Sequence, residues 1–153
     1  MIFTKRFISF ALLFFSFSSA ANSKFFLESG VGVEYGGIGV QAHLPTPANN
    51  LDLYLATGLF YASNKDSEKF GLGVGGNYFF EKHHALSSYI GTLHIDSNLN
   101  DYFEVEHDVK RGVSIGYKYY FNGAKKSGFT AGFSYNIYNG GSYPFISLAY
   151  RFY

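Results

Sequence analysis

The chain has 153 residues, no cysteine and a formal net charge of +1. That excludes a disulfide framework, a cysteine-ligated metal site and a strongly basic surface for nucleic acid or acidic lipid. Its length suits one domain, but aromatic residues reach 21% and charged residues only 15%, against roughly 25% charged in ordinary soluble domains, which fits a water-soluble globule poorly.

The first element is a leader. Lys5 and Arg6 precede an apolar run, Phe7 to Phe17, broken only by serines. Ser18-Ser19-Ala20 or Ser19-Ala20-Ala21 then offers a small-x-small cleavage site. Residues 1–21 are therefore expected to be a cleaved signal peptide, and residues 22–153 the mature domain. The run falls short of the roughly 20 apolar residues that a spanning helix needs. Without Lys5 and Arg6 the formal charge turns to −1.

After the leader the period is two. The pattern predicts eight strands, near Phe25–Tyr35, Gly37–Leu44, Leu51–Ala62, Lys69–Phe80, Ala85–Asp96, Val109–Phe121, Gly128–Tyr138 and Pro144–Tyr153. Leu51, Leu53, Leu55, Thr57, Leu59 and Tyr61 share one face. So do Phe70, Leu72, Val74, Gly76, Tyr78 and Phe80, and again Val113, Ile115, Tyr117, Tyr119 and Phe121. The opposite face is small and polar: Glu28, Gly30, Gly32 and Glu34; Gln41 and His43; Asp52, Ala56 and Gly58; Gly71, Gly73, Gly75 and Asn77; Ser88, Thr92 and His94. It continues with Lys110, Gly112, Ser114, Gly116 and Lys118, then Thr130, Gly132, Ser134 and Asn136, then Ser147, Ala149 and Arg151.

The connections alternate in character. "PTPANN", "EKHH" and "NGAKKS" are short, whereas the other side carries the longest and most charged ones, "SNKDSEK" and "SNLNDYFEVEHD". That asymmetry is expected of an all-β, eight-stranded antiparallel up-and-down transmembrane barrel with short periplasmic turns and longer external loops. Two aromatic rims are then expected. The lower one would hold Phe25, Tyr54, Tyr78, Phe80, Tyr89, Tyr119, Phe121, Phe129, Phe152 and Tyr153. The upper one would hold Tyr35, Tyr61, Phe70, Tyr138, Tyr143 and Phe145. Eight strands leave an interior just wide enough for side chains to fill, so the polar face should be the inner one.

The last strand, "YPFISLAYRFY", alternates Ile146, Leu148, Tyr150 and Phe152 before Tyr153. It resembles the carboxy-terminal recognition strand of bacterial outer-membrane proteins, with Tyr153 one residue beyond the usual pattern. Together with the glycine-aromatic style of "SGVGVEYGGIGVQAHL" and "GLGVGGNYFF", the whole mature chain resembles the small eight-stranded outer-membrane barrels of the OmpA/OmpX-like group. The resemblance implies a bacterial outer-membrane location and outer-membrane lipid and lipopolysaccharide as surroundings. It also implies recognition of Tyr150, Phe152 and Tyr153 by barrel-assembly machinery. A monomer without cofactors is expected. Group members include adhesins, resistance factors, tethering domains and a few lipid-modifying enzymes, so the fold alone does not decide the activity.

Four candidate features follow. Glu28, Asp52, Lys118 and Arg151 sit low on the inner face, where charges in a narrow lumen must pair; strand closure should bring Glu28 near Arg151. A structural plug is favoured over an ion path for these four. "HIDSN" bears His94, Asp96 and Ser97 and is faintly similar to the His-x-Ser-Asn stretch of PagL-type lipid A deacylases, with one residue too many; alternation puts His94 and Ser97 on opposite faces. His83 and His84, adjacent in a turn, are read as solvated residues rather than the three or four converging ligands of a metal site. The acidic loop with Tyr102, Phe103, Glu104 and Glu106 is a candidate external contact surface. The expected role is a non-enzymatic envelope or surface protein that contributes to integrity, adhesion or resistance. The alternatives are a narrow pore for small solutes, a PagL-like ester hydrolase acting on lipid A, and a soluble secreted barrel.

Overall fold

The computed structural model describes residues 25–61, 68–99 and 105–153. The signal-peptide expectation, Tyr102, Phe103 and Glu104 lie outside the described residues. Eight strands follow in chain order: β1 (Phe26–Gly32), β2 (Gly37–Pro45), β3 (Leu51–Tyr61), β4 (Glu68–Glu81), β5 (His84–Leu99), β6 (Val105–Tyr120), β7 (Gly128–Tyr138) and β8 (Gly141–Phe152). Each pairs antiparallel with the next, and β8 returns to β1, so the sheet is a closed eight-stranded barrel. Closure aligns Leu27 with Phe152 and Glu28 with Arg151. The C-terminal strand is therefore paired on both sides and has no free edge.

The side chains are sorted in the reverse of a water-soluble barrel. Phe70, Leu72, Ile90, Ile115, Phe129, Ile146 and Leu148 face outward, Ile146 reaching 71% exposure. Glu28, Gln41, His43, Asn77, Lys118, Asn136 and Arg151 lie inside, essentially without exposure. The period of two produces this directly, because successive strand residues point to opposite sheet faces.

Three departures from the sequence expectation matter for the lumen. The first strand ends at Gly32, not Tyr35. Val33–Tyr35 forms a 3₁₀ turn whose three residues are all buried. The chain reverses there through Gly36 and Gly37, with φ of 70° and 98°. Such positive φ values cost an L side chain about 1–2 kcal/mol but not glycine. The tip of the β1–β2 hairpin thus folds into the barrel instead of forming an external loop, and Tyr35 leaves the upper rim for the interior.

The second departure is a bulge in β5. Thr92 pairs with Arg111 and His94 with Lys110, so Leu93 is the extra residue. One inserted residue exchanges the two faces. Below the bulge Ala85, Ser87 and Tyr89 point inward, while Leu86, Ser88 and Ile90 are exposed. Ser88 is therefore not an inner residue, and Tyr89 is not a rim residue. Thr92 and Leu93 are both buried. The third departure is length: β5 and β6 run on to Leu99 and from Val105, so a long hairpin replaces most of the connection expected between Ser97 and Asp108.

Of the lower rim, Phe25, Tyr78, Phe80, Phe121, Phe129, Phe152 and Tyr153 are exposed, whereas Tyr54 is buried within the lumen. On the upper side Phe70 is 68% exposed. Tyr138, Tyr143 and Phe145 pack instead against an interior cluster of Val33, Tyr54, Ala56, Tyr89 and Leu93. The expected upper belt is, for these three rings, an aromatic stopper in the mouth of the barrel.

Candidate functional site

The lumen is the most elaborately built region among the described residues. Its lower end centres on Arg151. The guanidinium donates through Nε to Glu28 Oε2 at 2.7 Å, through Nη1 to the Ala124 carbonyl at 2.7 Å and through Nη2 to Tyr120 Oη at 3.0 Å. It also stacks between Phe26 and Tyr120, 4.6 and 4.3 Å from the two ring centres. The turn after β6 is drawn beneath the barrel, and Ala124, Tyr120 and Ala85 form a small cluster with Phe79.

Above it, Lys118 Nζ donates to Glu28 Oε1 at 3.3 Å, to Tyr35 Oη at 3.1 Å and to Gln41 Oε1 at 3.2 Å. The Tyr35 hydroxyl donates to Glu28. Asp52 accepts from Asn77 Nδ2 at 2.9 Å and lies 3.7 Å from Arg151 Nη2. All four charged residues singled out in the sequence, Glu28, Asp52, Lys118 and Arg151, thus meet in one network. His43 bridges it, 3.3 Å from Asp52 and 3.8 Å from Glu28, and stacks on Phe26. Burial removes water from these charges, so the network depends on its mutual pairing.

The tucked turn closes the lumen higher up. Gln41 Nε2 donates to the Glu34 carbonyl at 2.7 Å, and Ser147 Oγ donates to Glu34 Oε1 at 2.6 Å. Glycines clear the space it occupies: a methyl group on Gly39 or Gly58 would overlap the Tyr35 carbonyl. The same complementarity seats the inner rings, since a methyl on Gly73 would overlap Tyr89 and one on Gly75 would overlap Tyr54. The glycine content is in this respect a packing device for a crowded interior. At the upper mouth the Tyr143 hydroxyl donates to the Leu93 carbonyl.

Sequence reasoning named the charges but not Tyr35, Tyr54, Tyr89 and Tyr120 as lumen residues. The available signal was the opposing glycine: each of Tyr54 and Tyr89 stands against a Gly-rich strand, "GLGVGG".

His94 and Asp96 stay at the upper rim, Nε2 to Oδ1 at 3.1 Å, both partly exposed, with His94 stacked on Tyr138. Pairing from His94 to Leu99 is uninterrupted, and Ser97 is an odd step along it, so the ladder does not juxtapose the two as nucleophile and base require. His83 and His84 turn to separate partners, the Tyr120 carbonyl at 2.7 Å and the Tyr117 hydroxyl. Glu106 pairs with Asn98 through the backbone. At the terminal strand Tyr153 and Phe152 are exposed, and the Tyr153 backbone is tied to Ser127 Oγ at 2.9 Å. No family model matches the chain, and no curated protein or solved structure matches it either.

Arg151→Lys tests the lower network. An ammonium cannot reproduce the fork that reaches Glu28, Ala124 and Tyr120 together, nor the stacking between two rings. The variant should fold but lose about 2 kcal/mol of stability, read as a lower midpoint in urea unfolding.

Proposed function

We propose that this chain is a bacterial outer-membrane barrel of the OmpA/OmpX-like kind, a non-enzymatic surface or envelope protein that stays in the bilayer and presents its upper loops. The observation that carries the reading is the inverted polarity: aliphatic and aromatic side chains cover the outside while charges and amides fill the inside. In water such a surface would greatly exceed the few hundred Å² of contiguous apolar patch that monomers expose. In a bilayer it is the expected outer face of a closed sheet, which has no open edge. The filled lumen, with Arg151 below, the tucked turn in the middle and the ring cluster above, supports a structural role over a solute pathway.

Ile115 supplies the test. It lies on the outward face of β6, midway between Arg111 and the lower-rim Tyr119, and is 62% exposed. In water, Ile115→Arg should change stability by no more than about 0.5 kcal/mol, as surface substitutions do. At a bilayer midplane it should cost about 2–4 kcal/mol. Unfolding the wild type and the variant from lipid vesicles separates the two outcomes, and a neutral variant would refute the membrane reading. Planar-bilayer recording on the same protein should show no discrete conductance steps; a reproducible step would favour the narrow pore.

A further inference from the structure

One outward feature is not explained by a uniform lipid-facing surface. A shallow, open groove of about 610 Å³ runs across the outside of β2 to β6. Its floor is made by small residues, Ala42, Thr57, Gly73 and Gly91, and its walls by Leu55, Leu72, Val74 and Ile90. Arg111 lies at its edge. This is an exposed residue on the same outward face as Val113 and Ile115.

The charge is placed with some care. The neighbouring acids Asp96 and Asp108 are engaged by Lys110, at 3.6 and 2.5 Å. None of the ion pairs among the described residues includes Arg111. Arg111 stands eight residues above Tyr119 on β6. At roughly 3.3 Å per residue and a tilt of about 40°, that is about 20 Å along the barrel axis. The apolar band of such barrels is about 25 Å tall. Arg111 is therefore about 5 Å below the top of that band, at the edge of the apolar trough, and its long side chain can carry the guanidinium up to the headgroups of the upper leaflet. A guanidinium there matches a phosphate bidentately, and the trough matches an acyl chain.

We infer that this groove is a binding site for one phosphorylated lipid of the outer leaflet, its phosphate on Arg111 and an acyl chain between Leu55, Leu72, Val74 and Ile90. The inference rests on the bilayer reading above and adds a ligand and a determinant residue to it.

Native mass spectrometry of the full barrel in mild detergent tests it, titrating diphosphorylated lipid A against the same lipid stripped of its phosphates. The wild type should take up one phosphorylated lipid and discriminate against the stripped one. Arg111→Ala should weaken that uptake by at least about tenfold, as expected for loss of a charge-assisted contact, and Arg111→Lys should fall between. Ala42→Phe, which fills the floor and leaves the cation in place, should also reduce occupancy. Equal titration of wild type and Arg111→Ala, or equal uptake of the two lipids, overturns the proposal. Heat-dependent gel mobility of the same samples reports the folded barrel. A chain that never enters micelles as a folded barrel overturns the bilayer reading and this site together, whereas a folded barrel indifferent to phosphate overturns the site alone.

Discussion

Glu28→Ala should cost about 3–5 kcal/mol of unfolding stability, the range for removing one partner of a buried ion pair. Glu28 has no exposure and, among the described residues, is the only carboxylate that touches both Arg151, at 2.7 Å, and Lys118, at 3.3 Å. Its loss leaves Lys118 and Arg151 buried without their shared partner, and frees the Tyr35 hydroxyl that holds the tucked turn. Urea unfolding followed by heat-dependent gel mobility measures the change. Glu28→Gln keeps the shape and some of the hydrogen bonding and should lose less. The double variant Glu28→Ala, Arg151→Ala should be less damaged than the two single losses added together, with a coupling of about 0.5–3 kcal/mol. Additive losses would mean that the two charges do not act as a pair.

Gly39→Val should be of similar severity, at least about 3 kcal/mol, by a steric route. A side chain at Gly39 meets the Tyr35 carbonyl, the Thr57 carbonyl and the Gly58 backbone, none of which is a flexible side-chain end that could move aside. The inward turn must then leave the lumen. Chymotrypsin added from outside should cut after Tyr35 in the variant but not in the wild type, where Tyr35 is 1% exposed. Ile38→Val, the next position on the outward face and 57% exposed, is the control and should cost under about 1.5 kcal/mol. Protection of Tyr35 in Gly39→Val would show that the turn tolerates the added bulk.

The barrel was legible because its signal is carried by many residues at once. Alternation over eight segments, turn chemistry between them and an apolar final strand all pointed to the same closed sheet, and the strands expected to start at Gly37, Leu51 and Gly128 do start there. The pairing of Glu28 with Arg151 followed from closure alone. The lower turns, where hairpins are tight, were likewise placed from local sequence.

What the sequence by itself determined is the parity of each strand and hence which residues travel together: Ile146 with Leu148 outward, Ser147 with Arg151 inward. Only the tertiary structure decided where that parity breaks and what fills the barrel. A bulge at Leu93 moves one residue and exchanges Ser88 with Tyr89, yet leaves no mark in a run of alternating residues. The turn at Val33–Tyr35 reads as more strand because its apolar and acidic residues still alternate. It turns inward because Gly39 and Gly58, distant in sequence, leave a space that only a closed barrel brings together. Periodicity is a property of neighbours along the chain, whereas the plug depends on volume shared between strands.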